Sequence, residues 1–339
     1  MIKMSQRKLQ VVLSQAQGRD PVRRGLEEEI AASLLLEPGI DLGIVPHLYD
    51  LNPGHTGRLF MENIHGDMVV LSWLYPRAAY WLLDRNGIGG KLGETSVLAE
   101  QPSEEDEENG EEQKPTGIGS VKETNRTIYC LDLRDTRDHR KYLEEIRRIL
   151  AECKERWNTA PDKPSSVIQL GITKKVEEQQ QSFSQDEMLK APSRRWYPVI
   201  DYSRCTNCME CLDFCLFGVY GVDSLSRIFV DNQDSCKKGC PACSRVCPEQ
   251  AIMFPDYKSP AIAGAPVGGI SGLKIDLTKL FGGGDALVVA AQERDAELVK
   301  DGRDAVGLAV GIPKRQSGKQ AGPKDDLDNL MDALDNLEV

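Results

Sequence analysis

Eight of the ten cysteines in this 339-residue chain fall in one short stretch, from Cys205 to Cys247. No other feature narrows the fold as much, because thiols at short fixed spacings share either a disulfide framework or a metal. The first group reads Cys205-Thr-Asn-Cys208-Met-Glu-Cys211-Leu-Asp-Phe-Cys215. The second reads Cys236-Lys-Lys-Gly-Cys240-Pro-Ala-Cys243-Ser-Arg-Val-Cys247-Pro248. A disulfide scaffold requires an oxidising compartment. The N-terminal MIKMSQRKLQ has no uninterrupted apolar run or small-residue cleavage site and reads as no secretory signal. Metal ligation is the better reading.

Three thiolates at two-residue spacing wrap one face of a cubane cluster, and the fourth reaches a neighbouring cluster. On these motifs, residues 197–256 resemble a bacterial-type 2[4Fe–4S] ferredoxin domain, an α+β fold. The resemblance implies that Cys205, Cys208, Cys211 and Cys247 hold one cluster, and Cys236, Cys240, Cys243 and Cys215 the other. Zinc is the main alternative. Zinc sites use four ligands in C-x₂₋₄-C pairs, whereas the interleaved quartets and the Cys247-Pro248 step favour iron–sulfur. Two departures stand out: Leu216 follows Cys215 where Pro is usual, and three residues separate Cys236 from Cys240. Gly239 is expected to supply a positive φ in that longer loop. Val199–Asp201, Arg227–Asp231 and Ala251–Phe254 are expected strands. Ile200, Val219, Ile228, Val230 and Ile252 are expected to pack around the clusters. Lys237 and Lys238 either stabilise the reduced second cluster and dock an acidic partner, or are ordinary solvated lysines.

Residues 8–156 alternate between strand-like and helix-like patterns. Strands are expected at Leu9–Leu13, Asp41–Val45, Met68–Ser72 and Thr127–Leu131. Helices are expected at Pro21–Glu37, Thr56–Asn63, Pro76–Arg85 and Asp138–Arg156. This alternation predicts a parallel-sheet α/β domain with its site at the carboxyl ends of the strands. The loop Ser14–Asp20 with Pro21 loosely resembles the first loop of small tetrapyrrole chelatases in its Gly18-Arg19-Asp20-Pro21. Gln15-Ala16-Gln17 stands where that family's metal-binding His is expected, so the resemblance implies a domain repurposed for docking. His47, His55 and His65 are a candidate metal or acid–base group, against a reading as ordinary loop histidines. Arg19, Arg58 and Arg77 are candidate anion ligands, against a reading as solvated loop arginines. Cys130 and Cys153 read as small core residues. Gly87–Lys91 lacks the Ser or Thr of a phosphate loop, and Gly117-Ile-Gly119 lacks the third Gly of a dinucleotide fingerprint.

Forty-two Lys and Arg against 53 Asp and Glu give a formal charge of −11. Fourteen of those acids lie in two runs without a base, from Glu100 to Glu112 and from Asp325 to Val339. The remainder carries +3, so acidity belongs to these segments. The overall charge argues against nucleic acid as partner. The most apolar stretch, Val69–Leu83, is interrupted by Pro76 and Arg77 and is too short for a membrane span. Thr173–Pro192 reads as a linker, Ser259–Gly272 as a surface-wandering segment, and Asp285–Lys300 as a helix. Leu327, Leu330, Leu334 and Leu337 predict a short amphipathic helix that either docks a partner or folds back on its own chain. The resulting division is an α/β domain at 1–160 with an acidic insertion at 100–116, a linker at 161–195 and a two-cluster ferredoxin domain at 196–258. A Gly/Pro-rich extension with a helix at 259–324 and the acidic helix at 325–339 complete it.

The leading functional expectation is a cytoplasmic electron carrier or electron-transfer subunit with two [4Fe–4S] clusters and a redox protein as donor and acceptor. No catalytic residue is assigned. The alternatives are a redox enzyme whose α/β domain binds a substrate or tetrapyrrole, and a protein whose clusters are structural staples.

Overall fold

The computed structural model describes residues 7–96, 117–119, 126–159, 193–266 and 286–311. The first strand, β1 (Leu9–Ser14), is almost wholly buried because its apolar side chains alternate between two covered faces. Leu9, Val11 and Leu13 pack in one core layer and Val12 in the other. β1 is flanked by β2 (Ile40–Val45) and β3 (Met68–Ser72), with β5 (Thr127–Asp132) and the two-residue β4 (Lys91–Leu92) beyond. The order is β2-β1-β3-β5-β4, and every pair is parallel. The sequence predicts four strands. It misses β4, whose two residues carry no periodic signal.

One face of the sheet is covered by α1 (Pro21–Leu35) and α4 (His139–Thr159). Asp20 caps α1, its Oδ1 accepting the Val22 N–H at 3.0 Å, and Pro21 occupies the first turn. Leu26, Ile30 and Leu34 form its buried stripe. The helix stops two residues before the expected Glu37, and Gly39 (φ +89°) turns the chain into β2. The other face carries α2 (Thr56–Glu62) and α3 (Pro76–Arg85). Six consecutive residues of α3, Ala78 to Leu83, are buried. A helix apolar all round must be covered on both sides. The sheet covers one side and the cysteine-rich segment the other, with Trp81 edge-on to Tyr202 at 5.9 Å.

That segment consists of two small antiparallel ribbons. β6 (Val199–Ile200) pairs with β9 (Ile252–Met253), and β7 (Tyr220–Val222) with β8 (Ile228–Val230). Two one-turn helices, α5 (Glu210–Phe214) and α6 (Ala242–Val246), lie between them in the chain. Tyr197, Val199 and Met253 enter the same core cluster as Trp81 and Tyr49. The Tyr49 hydroxyl donates to the Tyr197 carbonyl and accepts the Tyr197 N–H at 2.7 Å, while the Tyr197 hydroxyl donates to the Tyr49 carbonyl at 3.0 Å. Residues 193–195 join this contact too: the Arg195 N–H donates to Asp50 Oδ1 at 3.0 Å.

The expected surface path from Ser259 is corrected in its first part. Pro260–Ala263 forms α7, whose Ile262 and Ala263 are buried, and Phe254 N–H bonds to the Ile262 carbonyl at 2.8 Å. Gly264 (φ +102°) presses so closely on α3 that an added Cβ would stand 2.7 Å from Ala78 Cβ. α8 (Ala286–Lys300) packs on α6, and Arg245 forks onto Glu293 at 2.8 and 3.0 Å. The acidic insertion at 100–116, Thr173–Pro192 and the leucine-striped C-terminus lie outside the described residues. Among the described residues, no helix is long and apolar enough to cross a membrane.

Candidate metal centre

The two cysteine groups adopt parallel local structures. In each, a short helix carries one cysteine and ends on another: Cys211 and Cys215 on α5, Cys243 and Cys247 on α6. The terminal N–H groups of Cys215 and Cys247 bond to the carbonyls of Cys211 and Cys243 at 3.0 and 3.2 Å. The loop before α5 coils tightly through left-handed Asn207 (φ +60°) and Met209 (φ +63°). Asn207 suits that position because its side chain is anchored: Nδ2 donates to the Ser226 carbonyl at 2.8 Å and Oδ1 accepts the Ile228 N–H at 2.9 Å. In the second group Gly239 supplies the positive φ, +89°.

Two small cavities result. Cys205, Cys208, Cys211 and Cys247 line the first, with Ile200, Ile228 and Ile252 among their apolar neighbours. Cys215, Cys236, Cys240 and Cys243 line the second, with Phe214, Val219 and Tyr220. Ile200, Val219, Ile228, Val230 and Ile252 are all buried in one core cluster with six of these cysteines. All ten cysteines are free thiols. Among the described residues, no three His, Cys, Asp or Glu side chains converge tightly enough to hold a single metal ion.

Donors point at the sulfurs. The Ala251 N–H reaches Cys247 Sγ at 3.3 Å, and the Tyr220 hydroxyl donates to Cys243 Sγ at 3.0 Å. Backbone N–H groups of Asn207, Leu212, Lys237 and Ala242 serve Cys205, Cys211, Cys236 and Cys240, and those of Phe217 and Val219 serve Cys215. Burial nevertheless pushes Cys205 and Cys240 up to about 11, and raises Cys211, Cys215, Cys236, Cys243 and Cys247 as well. In Cys211, Cys236 and Cys243 a neighbouring thiol adds to the rise. Thiolates persist in such surroundings only beside a compensating positive centre. Thr206 Oγ1, which lies buried in the first group's loop, has no hydrogen-bond partner. These features fit a thiolate-bound metal cluster.

Residues outside the cysteine-rich segment lie beside both groups. Arg77 of α3 donates to Asp201 Oδ2 at 2.6 Å and to the Gln250 carbonyl at 2.7 Å, close enough to Cys247 to interact electrostatically. Its Nη1 is buried without a partner. The Ile118 N–H bonds to the Cys205 carbonyl at 2.8 Å. Arg294 of α8 lines the second cavity, 1% exposed, with its guanidinium 4.6 Å from the Phe214 ring centre. Lys237 pairs with Asp301 of this same chain at 2.6 Å, so the acid it meets is intramolecular; Lys238 is exposed.

The other candidates separate. The Gln17 amide donates to Asp50 Oδ2 and Asp256 Oδ2, both at 2.9 Å, and lies 3.2 Å from His47 Nδ1. His55 Nδ1 accepts the Gly57 N–H at 3.0 Å and caps α2, while His65 is exposed. The three histidines do not converge. Arg19 is exposed and Arg58 pairs with Glu62 at 2.8 Å. Cys130 and Cys153 are buried in the α/β core, away from both quartets. Lys91 opens β4, and the Tyr80 hydroxyl holds the preceding Gly90 carbonyl at 2.7 Å.

No family model and no solved structure matches the chain. A stretch of 66 residues is 48% identical to an uncharacterised ferredoxin of Methanocaldococcus jannaschii, covering 19% of this chain and 44% of that protein. The match spans less than half the relative's length. The chain thus contains a ferredoxin-like segment.

Proposed function

We propose that this protein transfers electrons through two [4Fe–4S] clusters, one on Cys205, Cys208, Cys211 and Cys247 and the other on Cys215, Cys236, Cys240 and Cys243. The observation that carries the reading is the pair of cavities lined crosswise by these quartets. Two interleaved thiol quartets suit a multi-iron core better than a lone zinc ion. Each cluster, when bound, supplies one-electron redox chemistry. The chain's own part is to ligate through sulfur, exclude water with isoleucine and aromatic walls, and direct N–H dipoles at the thiolates. No side chain acts as acid or base in this role.

The α/β domain serves in this reading as a docking body for the ferredoxin domain, in keeping with the chelatase-like first loop. Gln17, in the stretch where that family's His is expected, spends its amide on Asp50 and Asp256. Ten unbridged cysteines suit a reducing cytoplasm. Redox proteins serve as donor and acceptor, and the leucine-striped C-terminus is a docking element for one of them.

Anaerobic potentiometric titration followed by EPR tests the function. Electron transfer requires two reversible one-electron steps per chain. Clusters that resist dithionite while holding the fold together would assign them a purely structural role.

A further inference from the structure

A cleft of about 500 Å³ opens between the α/β domain and the ferredoxin-like segment. That volume is in the range of small-molecule sites, which favour domain interfaces. Its chemistry centres on two arginines and one tyrosine ring. Arg85 of α3 lies 5.2 Å and Arg195 lies 5.3 Å from the centre of the Tyr197 ring. Arg85 donates to Gln233 Oε1 at 2.7 Å and to the Val230 carbonyl at 3.4 Å, both neutral. Among the described residues no carboxylate forms an ion pair with it. Arg195 has an acid partner, Asp234 at 2.8 Å, but that carboxylate is 81% exposed and its charge is screened by water. Two guanidiniums thus flank one aromatic ring without a buried counter-ion, and burial, with Arg195 nearby, lowers the Arg85 pKa. A part-buried cation left in this state costs free energy that an anion would recover.

We propose that this cleft binds a small organic anion, a carboxylate or phosphate ester on a flat apolar body, with its charge at Arg85 and Arg195. Tyr202 and Phe229 supply walls for the flat body. The aspartates set an upper limit on charge. Asp84, Asp231 and Asp234 also line the cleft and Arg58 is taken by Glu62, so a highly charged anion gains little there. Position gives the site its interest. Ile200 lines both this cleft and the first thiol cavity, so one side chain separates a bound ligand from the first quartet. That closeness matters for electron delivery only if the proposed clusters are present; the binding itself does not depend on them.

Calorimetric titration of the full chain, anaerobically loaded with iron and sulfide, tests the site with benzoate, phenyl phosphate and acetate. Benzoate or phenyl phosphate binds saturably and more tightly than acetate, and the tighter of the two identifies the head group. Arg85→Gln weakens binding by about tenfold or more, the effect of losing one charge-assisted hydrogen bond. Arg85→Lys retains most of the affinity, and Arg137→Ala, remote from the cleft, changes nothing. If Arg85→Gln does not fold, Arg195→Gln takes its place. The absence of saturable binding by either ring compound overturns the proposal. So does an unchanged affinity in a folded Arg85→Gln or Arg195→Gln protein, or equal binding of acetate. A shift in the first cluster's EPR spectrum on adding benzoate reports the shared wall separately from binding.

Discussion

Arg294 carries its charge into the protein interior beside the second quartet. Its donors go to the Gly307 and Val310 carbonyls at 2.6 and 3.0 Å and to Asp295 at 3.0 Å, and its field lowers the Cys215 pKa against the dominant upward effect of burial. A cation there favours added negative charge, so Arg294→Met lowers the reduction potential of the proposed second cluster by on the order of 50 mV. Arg294→Lys keeps the potential near its original value. Potentiometric EPR checks both, and an unmoved potential in Arg294→Met removes the arginine from the tuning scheme. His47 and Asp50 give a pH signature at the domain contact. They lie 3.8 Å apart, a distance that suits an ion pair, but burial lowers His47 to about 4 and raises Asp50 to about 6. Between those values both are neutral. The unfolded histidine, near 6.5, takes up a proton that the folded one refuses, so His47 adds stability as pH rises from 5.5 to 7. Asp50, held protonated in the fold, withdraws part of that gain as it ionises above its unfolded value of about 3.9. His47→Gln therefore loses about 1 kcal/mol of the rise and leaves the falling Asp50 contribution. Denaturant melts at pH 5.5 and 7 measure the difference; identical slopes in both proteins would contradict the neutral pair.

The elements divide by whether their signal is periodic. β1, β3 and α3 are legible because apolar runs, alternation and flanking Pro or Gly agree. The ligand groups are legible because cysteine spacing is read without knowing the fold. β4 is silent because two residues beside glycines form a strand only by borrowing the β5 edge. The neighbours of the cavities are silent for another reason: they come from distant sequence. Arg77 stands 124 residues from its Asp201 partner. Arg294 does leave a trace, since it occupies the stripe of Ala290 and Leu298 at helical spacing, where an arginine must find buried partners. The segment Gly117–Gly119 leaves none, because its role is backbone contact. Gly117 and Gly119 N–H groups bond to the Ser203 and Tyr202 carbonyls at 2.8 and 3.0 Å. An added Cβ on Gly117 would stand 2.2 Å from Ser203 backbone atoms. Gly117→Val therefore lifts this strap from the first quartet's loop. The first cluster's signal then bleaches in air several-fold faster than in the parent, while the second cluster's rate is unchanged. Equal rates for both clusters would deny the strap its protective role.

At the scale of the whole molecule, the ferredoxin-like segment does not hang from the α/β domain on a tether. It shares a hydrophobic core with α3 and is pinned by the Tyr49–Tyr197 bonds, the Gln17–Asp256 bond and the Arg77–Asp201 ion pair. The α8 helix closes the far side of the second cavity. The surroundings of the thiol quartets and the docking of the two parts are consequently one structural problem, and the carboxyl ends of β1 and β2 face the ferredoxin-like segment. The account stands on two thiolate-bound clusters per chain. Iron and acid-labile sulfide analysis of anaerobically purified protein, with EPR of the dithionite-reduced form, tests that most directly. The account predicts about eight irons, about eight sulfides and a spectrum split by coupling between two neighbouring paramagnets. A protein with zinc in place of iron, or with four irons and a single uncoupled signal, would contradict it.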